Sequence, residues 1–249
     1  METIINTIQN RIRNKNILIT GSTTGIGRAT AILLSQMGAN VLITGTNAEH
    51  MQDALKDLEK TSGGQVFHVL ADLGTEEGIN KLFDVVDENF SHLDVLINNV
   101  ALPFGNISEG NYVEWERVLN TNLLAYIACC AEGVKRMSKP GHIINIGSMS
   151  ADVREGSGSI YVATKSGIQG FSESLRKQLN KEEIKVSLIE PGAVDTNMQE
   201  GSAEEKRQKI DAAEMLKAED IAWSVLYCLS QSARCDVVEL KIRPHKQLI

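Results

Sequence analysis

Cysteine is scarce: Cys129, Cys130, Cys228 and Cys235 are the four in 249 residues. None forms a C-x-x-C pair, and no histidine stands at ligand spacing from them. Neither a zinc site nor a disulfide framework is expected; buried thiols in a reducing compartment are. With 4 prolines and 20 glycines, the chain is far from collagen-like or low-complexity composition. Basic residues are outnumbered, 25 Lys and Arg against 32 Asp and Glu, for a net charge of −7. That balance excludes the basic stripe of a nucleic-acid binder. No stretch approaches the roughly 20 apolar residues that span a bilayer. Met1 to Asn16 alternates polar and apolar residues and lacks the apolar core of a secretory signal. A cytoplasmic protein that engages neither nucleic acid nor membrane is therefore expected. What is there, 42% hydrophobic and 23% charged, is a globular composition at a length suited to one large α/β domain.

Seven short aliphatic and β-branched runs punctuate the chain: Ile17 to Thr20, Val41 to Thr44, Val66 to Leu70, Val95 to Ile97, Ile143 to Ile146, Val186 to Ile189 and Val237 to Ile242. Runs that are apolar throughout, without alternation, predict strands covered on both faces. Between them apolar residues recur every three or four positions. Ile26, Ala29, Thr30, Leu33, Leu34 and Met37 form one such face, with Gly38 as a stop; Ile221, Val225, Tyr227-Cys228 and Leu229 form another. This rhythm predicts a single doubly wound α/β domain over residues 1–249, with about seven parallel strands, right-handed crossovers and helices on both faces. Two segments stand outside it. Residues 1–16 carry Ile4, Ile5, Ile8 and Ile12 at helical spacing, which predicts an extra N-terminal helix. Residues 196–217, polar through Glu200, Glu204, Glu205, Lys206 and Arg207, read as a lid that is poorly ordered until substrate binds.

The first run leads into Thr20-Gly21-Ser22-Thr23-Thr24-Gly25-Ile26-Gly27 and then a helical stretch. Strand, glycine turn and helix form the context of a dinucleotide site. The glycines permit a tight turn, close approach of a pyrophosphate and close helix–strand packing. The phosphates then meet the free N–H groups of the helix N-terminus. Further on, Tyr161 and Lys165 are i and i+4, so on a helix they share a face. A phenol of pKa about 10 is a poor base at neutral pH, and an ammonium beside it favours the phenolate. Ser148 precedes Tyr161 by thirteen residues.

The glycine spacing G-x-x-x-G-x-G is followed in order by Asp72, Asn98-Asn99-Val100-Ala101, Asn122, Ser148, Tyr161-Val162-Ala163-Thr164-Lys165 and Pro191-Gly192-Ala193-Val194-Asp195-Thr196. Over nearly its whole length the chain thereby resembles the short-chain dehydrogenase/reductase family, in its short single-domain branch. The resemblance implies a Rossmann-type fold and hydride transfer between a nicotinamide and a small carbonyl or secondary alcohol. It makes Ser148, Tyr161, Lys165 and Asn122 the catalytic residues. Ser148 positions the carbonyl oxygen, and Tyr161 exchanges its proton as general acid/base. Lys165 tunes Tyr161 and holds the ribose hydroxyls; Asn122 holds a water linking Lys165 to solvent. No metal is required.

The resemblance also implies cofactor contacts from Gly21, Ser22, Thr23, Gly25, Ile26, Gly27, Thr46, Asn47, Asp72, Leu73, Asn99, Val100, Ala101, Tyr161, Lys165, Pro191, Gly192, Val194 and Thr196. Asp72 approaches the adenine edge, and Pro191 to Thr196 cover the nicotinamide end. The family usually reads N-N-A-G where this chain has Asn98-Asn99-Val100-Ala101. Ala101 takes a positive φ less readily than Gly, so a different local turn is expected. Gly45 stands where NAD-using relatives carry Asp, and Thr46 where many NADP-using relatives carry Arg. Arg28 is the nearest cation in sequence. With no carboxylate to repel a 2′-phosphate and with Thr46 and Asn47 as donors, NADP(H) is favoured over NAD(H). Relatives pair the helices containing Trp115 to Met137 and Tyr161 to Leu179 across a two-fold axis, so a homodimer or homotetramer is expected.

Other polar residues carry less. Arg154, next to Asp152 and Glu155, reads as a solvated loop charge before it reads as a partner for a substrate carboxylate. His142 reads as a polar strand flank; His50, His68, His92 and His245 show no catalytic spacing. Trp115 and Trp223 read as core or interface. Two alternatives remain. One is a 3-oxoacyl thioester (acyl-carrier-protein) reductase, against which the ending Val238 to Pro244 lacks the D-G-G segment of many such enzymes. The other is a non-catalytic dinucleotide-binding regulator, which would have no use for Ser148, Tyr161 and Lys165 together.

Overall fold

The computed structural model describes residues 2–61, 63–199 and 201–247, with side chains described from residue 6 onward. Glu200 and the side chains of Ile4 and Ile5 thus lie outside the described residues. The strands are β1 (Asn16–Ile19), β2 (Asn40–Gly45), β3 (Val66–Leu70), β4 (Leu93–Asn98), β5 (Met137–Ile146), β6 (Ile184–Pro191) and β7 (Glu239–Ile242). They form one wholly parallel sheet in the order β3-β2-β1-β4-β5-β6-β7. The chain winds outward from β1 in both directions. The βα loops after β1 and β4 therefore diverge to opposite faces and leave a crevice at the carboxyl ends of the strands.

The helices are α1 (Glu2–Ile12), α2 (Gly25–Gln36), α3 (Ala48–Leu58), α4 (Glu76–Asn89), α5 (Tyr112–Leu119), α6 (Ala125–Arg136), α7 (Ser150–Val153), α8 (Ser159–Leu179), α9 (Ala203–Asp211) and α10 (Ala218–Ser230). Neighbouring residues of a central strand feed opposite layers. Ile17, Ile19, Val41 and Ile43 pack with Leu34 of α2, Ala54 of α3 and Val225 of α10. Leu18, Leu42 and Leu96 pack with Leu82 of α4, Cys129 of α6 and Leu175 of α8. That is why the central runs are apolar at every position.

The edges differ from expectation. β7 alternates half-buried and exposed residues, with Glu239 and Lys241 on the exposed side, and β3 is likewise largely uncovered. Each pairs on one side only and has layers to share with one neighbour, so it carries polar residues facing water. α1 forms, and its Ile12 is buried in the core with Ile8 against it. The Arg11 guanidinium bonds the Ser230 carbonyl at the end of α10, so α1 covers the sheet end next to α10.

Residues 196–217 contain α9 and are closed at the neck. Val194 and Leu216 make a parallel bridge, and the Leu216 N–H reaches the Ala193 carbonyl at 2.9 Å. Three cysteines are buried, but Cys235 is exposed. His142 is no flank: it is buried in β5 against Ser187 Oγ at 2.8 Å, and burial pushes its pKa down to about 3. Trp223 is 57% exposed, hence not core. Among the described residues no helix is long and apolar enough to cross a membrane.

Candidate active site

The turn after β1 is shaped by the end of β4. Thr20 Oγ1 accepts from the Asn99 and Val100 N–H groups at 2.9 and 3.2 Å, and Asn99 Nδ2 donates to the Thr20 and Gly21 carbonyls. Gly21 has φ +59°, and a Cβ there would sit 2.7 Å from Val100 Cα. Gly27 has no room either, because a Cβ would lie 2.5 Å from the Gly21 carbonyl oxygen. Thr24 caps α2 without a side-chain bond, and no acidic residue occupies the first turn. Free N–H groups and the positive end of the helix dipole therefore face a cleft of about 680 Å³. Glycines shaped for close approach and an uncapped helix N-terminus fit a bound pyrophosphate.

Gly21, Thr23, Gly25, Ile26, Thr46, Asn47, Asp72, Leu73, Asn99, Val100, Ala101, Ser148, Tyr161, Lys165, Pro191, Gly192, Val194 and Thr196 all line this one cleft. Three candidates do not. Ser22 is buried, with Oγ donating to the Ile19 carbonyl at 2.6 Å and accepting from the Thr44 N–H, so it joins β1 to β2. Gly27 serves packing. Asn122 lies behind the cleft wall. Ala101 is not among the residues with positive φ, so the turn after β4 forms without the glycine conformation.

Ser148 follows β5 by two residues, and Tyr161 and Lys165 face the same cleft from the first turns of α8. The Ser148 hydroxyl accepts from the Ser150 N–H at 3.1 Å and acts on the phenol of Tyr161. Lys165 is buried; its Nζ donates to the Ile146 carbonyl at 3.0 Å and stands 5.7 Å from the Tyr161 ring centre. Burial pushes the Lys165 pKa down to about 8, against the opposing pull of Glu190. Burial raises Tyr161 above its ordinary value; the Ser148 hydroxyl pulls it back down and the Glu155 charge raises it further. The ammonium is engaged by a backbone carbonyl, and desolvation dominates both groups.

Asn122 sits in a π-helical turn, Asn120–Leu124, that joins α5 to α6. Its Oδ1 accepts from the Leu102 N–H and its Nδ2 donates to the Leu102 carbonyl. The extra residue in the turn rotates this amide toward the loop after β4.

At the other end of the cleft, Gly45 has no positive φ, yet a Cβ there would lie 2.7 Å from the Thr23 side chain. Arg28 does not line the cleft: its guanidinium is held by the Asp57 carboxylate at 2.6 Å and the Asp53 carbonyl at 2.8 Å. His50, set aside in the sequence for want of spacing, does line it. So do Glu155 and Gln247, which the sequence did not single out. Gln247 Oε1 accepts from the Ala193 N–H at 3.0 Å, which brings the C-terminal tail to the Pro191–Thr196 segment. No local pattern in the sequence marks that contact.

Sheet order, uncapped glycine turn and the Ser148–Tyr161–Lys165 grouping define a dinucleotide-binding α/β protein. A profile described as short chain dehydrogenase matches residues 15–207. An uncharacterised oxidoreductase of Staphylococcus epidermidis is 30% identical over 237 residues, covering 94% of this chain and 99% of that one. Among solved structures, a dehydrogenase/reductase from Sinorhizobium meliloti superposes with TM-score 0.86 at 26% identity, covering 98% of each chain. A short chain dehydrogenase from Burkholderia cenocepacia, in complex with NADP, gives 0.84 at 27% identity, covering 94% of this chain and 98% of that one. The chain belongs to the short-chain dehydrogenase family. It is an oxidoreductase of that family, which binds a nicotinamide dinucleotide and acts on small molecules.

Proposed function

We propose that this chain is an NADP(H)-preferring oxidoreductase that interconverts a small ketone or aldehyde with its alcohol, Tyr161 acting as general acid/base. The observation that carries the reading is the convergence of Ser148, Tyr161 and Lys165 in the cleft that also holds the glycine turn. The dinucleotide, when bound, supplies or accepts the hydride. Tyr161, its pKa raised, is a protonated phenol at neutral pH and is suited to give a proton to a carbonyl oxygen. Ser148 is a second donor to that oxygen. Lys165 is placed to hold ribose hydroxyls beside the phenol. Asp72 and Thr46 hold the adenosine end, and Pro191 to Thr196 the nicotinamide end.

The NADP preference is supported by the want of a carboxylate at Gly45, Thr46 and Asn47, and by His50 beside them. The complex of the Burkholderia relative with NADP points the same way. Thr196, Asn197, Met198 and Gln199 border the carbonyl end, which supports residues 196–217 as a lid. The test is a ketone panel with NADPH and NADH on wild type and Tyr161→Phe. Turnover by the variant should fall by roughly 10²–10⁴ while NADPH still binds. Near-normal turnover by Tyr161→Phe would overturn the role of the phenol.

A further inference from the structure

We propose that Glu155 makes the carbonyl end of the cleft selective for substrates bearing a protonated amine, amino ketones and their amino alcohols, over substrates bearing a carboxylate. This rests on the function proposed above and names its substrate class. Leu102, Pro103, Phe104, Met149, Val153 and Met198 give this end an apolar wall. Among the described residues that line it, Glu155 is the one charged side chain not committed elsewhere in the fold. Lys165 is buried and held by the Ile146 carbonyl. Arg117 lies one helical turn before Thr121, whose hydroxyl lies against Gly74 just beyond β3, so it belongs with His50 to the adenosine end.

Glu155 is tethered to the reacting centre. Its Oε1 accepts from the Ser150 hydroxyl at 2.6 Å, and Ser150 in turn donates its N–H to Ser148 Oγ. A carboxylate accepts about four hydrogen bonds, and Ser150 supplies one. Its charge is felt at Tyr161, whose pKa it raises. Arg154, the neighbouring cation that would read a substrate carboxylate, does not line the cleft. Its backbone is left-handed (φ 55°) and its Nε donates to the Ala151 carbonyl at 3.3 Å. Glu155 is exposed at the cleft mouth, where an ammonium beside it is attracted and a carboxylate repelled.

Three ketones of one shape test this: 4-(aminomethyl)acetophenone, 4-methylacetophenone and 4-acetylbenzoate, assayed with NADPH. Wild type should show a kcat/KM ratio of cation to anion of roughly 10 or more. Glu155→Gln should bring the ratio to about 1, and Glu155→Lys should invert it. Saturation-transfer NMR of benzylamine and benzoate gives a readout independent of turnover; the amine should be preferred by wild type and not by Glu155→Gln. A wild-type ratio near 1, or one unmoved by Glu155→Lys, overturns the inference while leaving the reductase reading in place. Failure to oxidise NADPH with all three ketones, with the amine still preferred in binding, overturns the reductase reading and upholds the charge selectivity of the site.

Discussion

Asn122 grips Leu102 with both ends of its amide: Oδ1 accepts from the Leu102 N–H at 2.7 Å, and Nδ2 donates to the Leu102 carbonyl at 2.8 Å. The pair ties the π-helical turn between α5 and α6 to the loop that forms one wall of the cleft. Asn122→Ala would leave both backbone groups of Leu102 without this partner, at a loss of about 1–3 kcal/mol. Chemical denaturation should report that loss. Asn122→Asp keeps the acceptor and should recover part of it. Equal stability of wild type and Asn122→Ala would mean that the clamp is not an anchor of the loop.

Cofactor choice is testable at two neighbouring positions with different outcomes. Gly45→Asp places a Cβ against Thr23, so NADPH and NADH should weaken together as the turn is displaced. Asn47→Asp meets no such obstacle. Asn47 caps α3 by accepting from the His50 N–H at 2.9 Å, and Asp keeps that acceptor while adding a negative charge. It should lower kcat/KM for NADPH relative to NADH by about 10-fold. A wild type that prefers NADH would reverse the cofactor assignment and leave the reaction class standing.

Two buried groups give opposing pH dependences. Glu190 is fully buried in β6, with neither carboxylate oxygen hydrogen-bonded. Glu239 and Asp152 face it, and Lys241 at 3.7 Å only partly compensates; its pKa is raised from 4.5 to about 7. The folded state keeps a proton that the unfolded state releases, so stability falls as pH rises from about 4.5 to 7. His142 is the reverse. Its pKa is depressed from 6.5 to about 3, so its contribution is complete above 6.5 and is lost as pH falls. Each slope is about 1.4 kcal/mol per pH unit, and between about pH 4.5 and 6.5 they offset. Glu190→Gln removes one of them. Urea denaturation should find the variant about 2 kcal/mol more stable at about pH 6.5 than at about pH 5, with wild type changing much less. Parallel pH profiles for the two proteins would refute the assignment.

Assembly is expected through α5 and α6. Leu119, Leu124 and Ile127 are 43%, 53% and 38% exposed along that helical pair, whereas exposed positions of α8 include Gly170, Glu173, Ser174 and Lys177. Light scattering at micromolar concentration should give a dimer or tetramer. Leu124→Glu with Ile127→Glu should shift it to a smaller species. A monomeric wild type would exclude the interface.

Much of the architecture was legible in residue order because it depends on local periodicity. A run apolar at every position, such as Ile17 to Ile19, specifies a strand covered on both faces; a three-to-four spacing specifies the face a helix buries. The glycine turn and the i, i+4 pair of Tyr161 and Lys165 were legible for the same reason, since each lies within one or two turns of chain. Tertiary structure alone decided which side chains meet across the sheet. It set Thr23 against Gly45, diverted the Arg28 guanidinium to α3, committed Lys165 to the Ile146 carbonyl, and brought Gln247 to Ala193 and Glu155 to the cleft. It also left β7 half-exposed at an edge and buried His142 at its centre. These outcomes follow from strand order, which is the joint result of every crossover packing on one sheet, and short-range interactions along the chain do not record it.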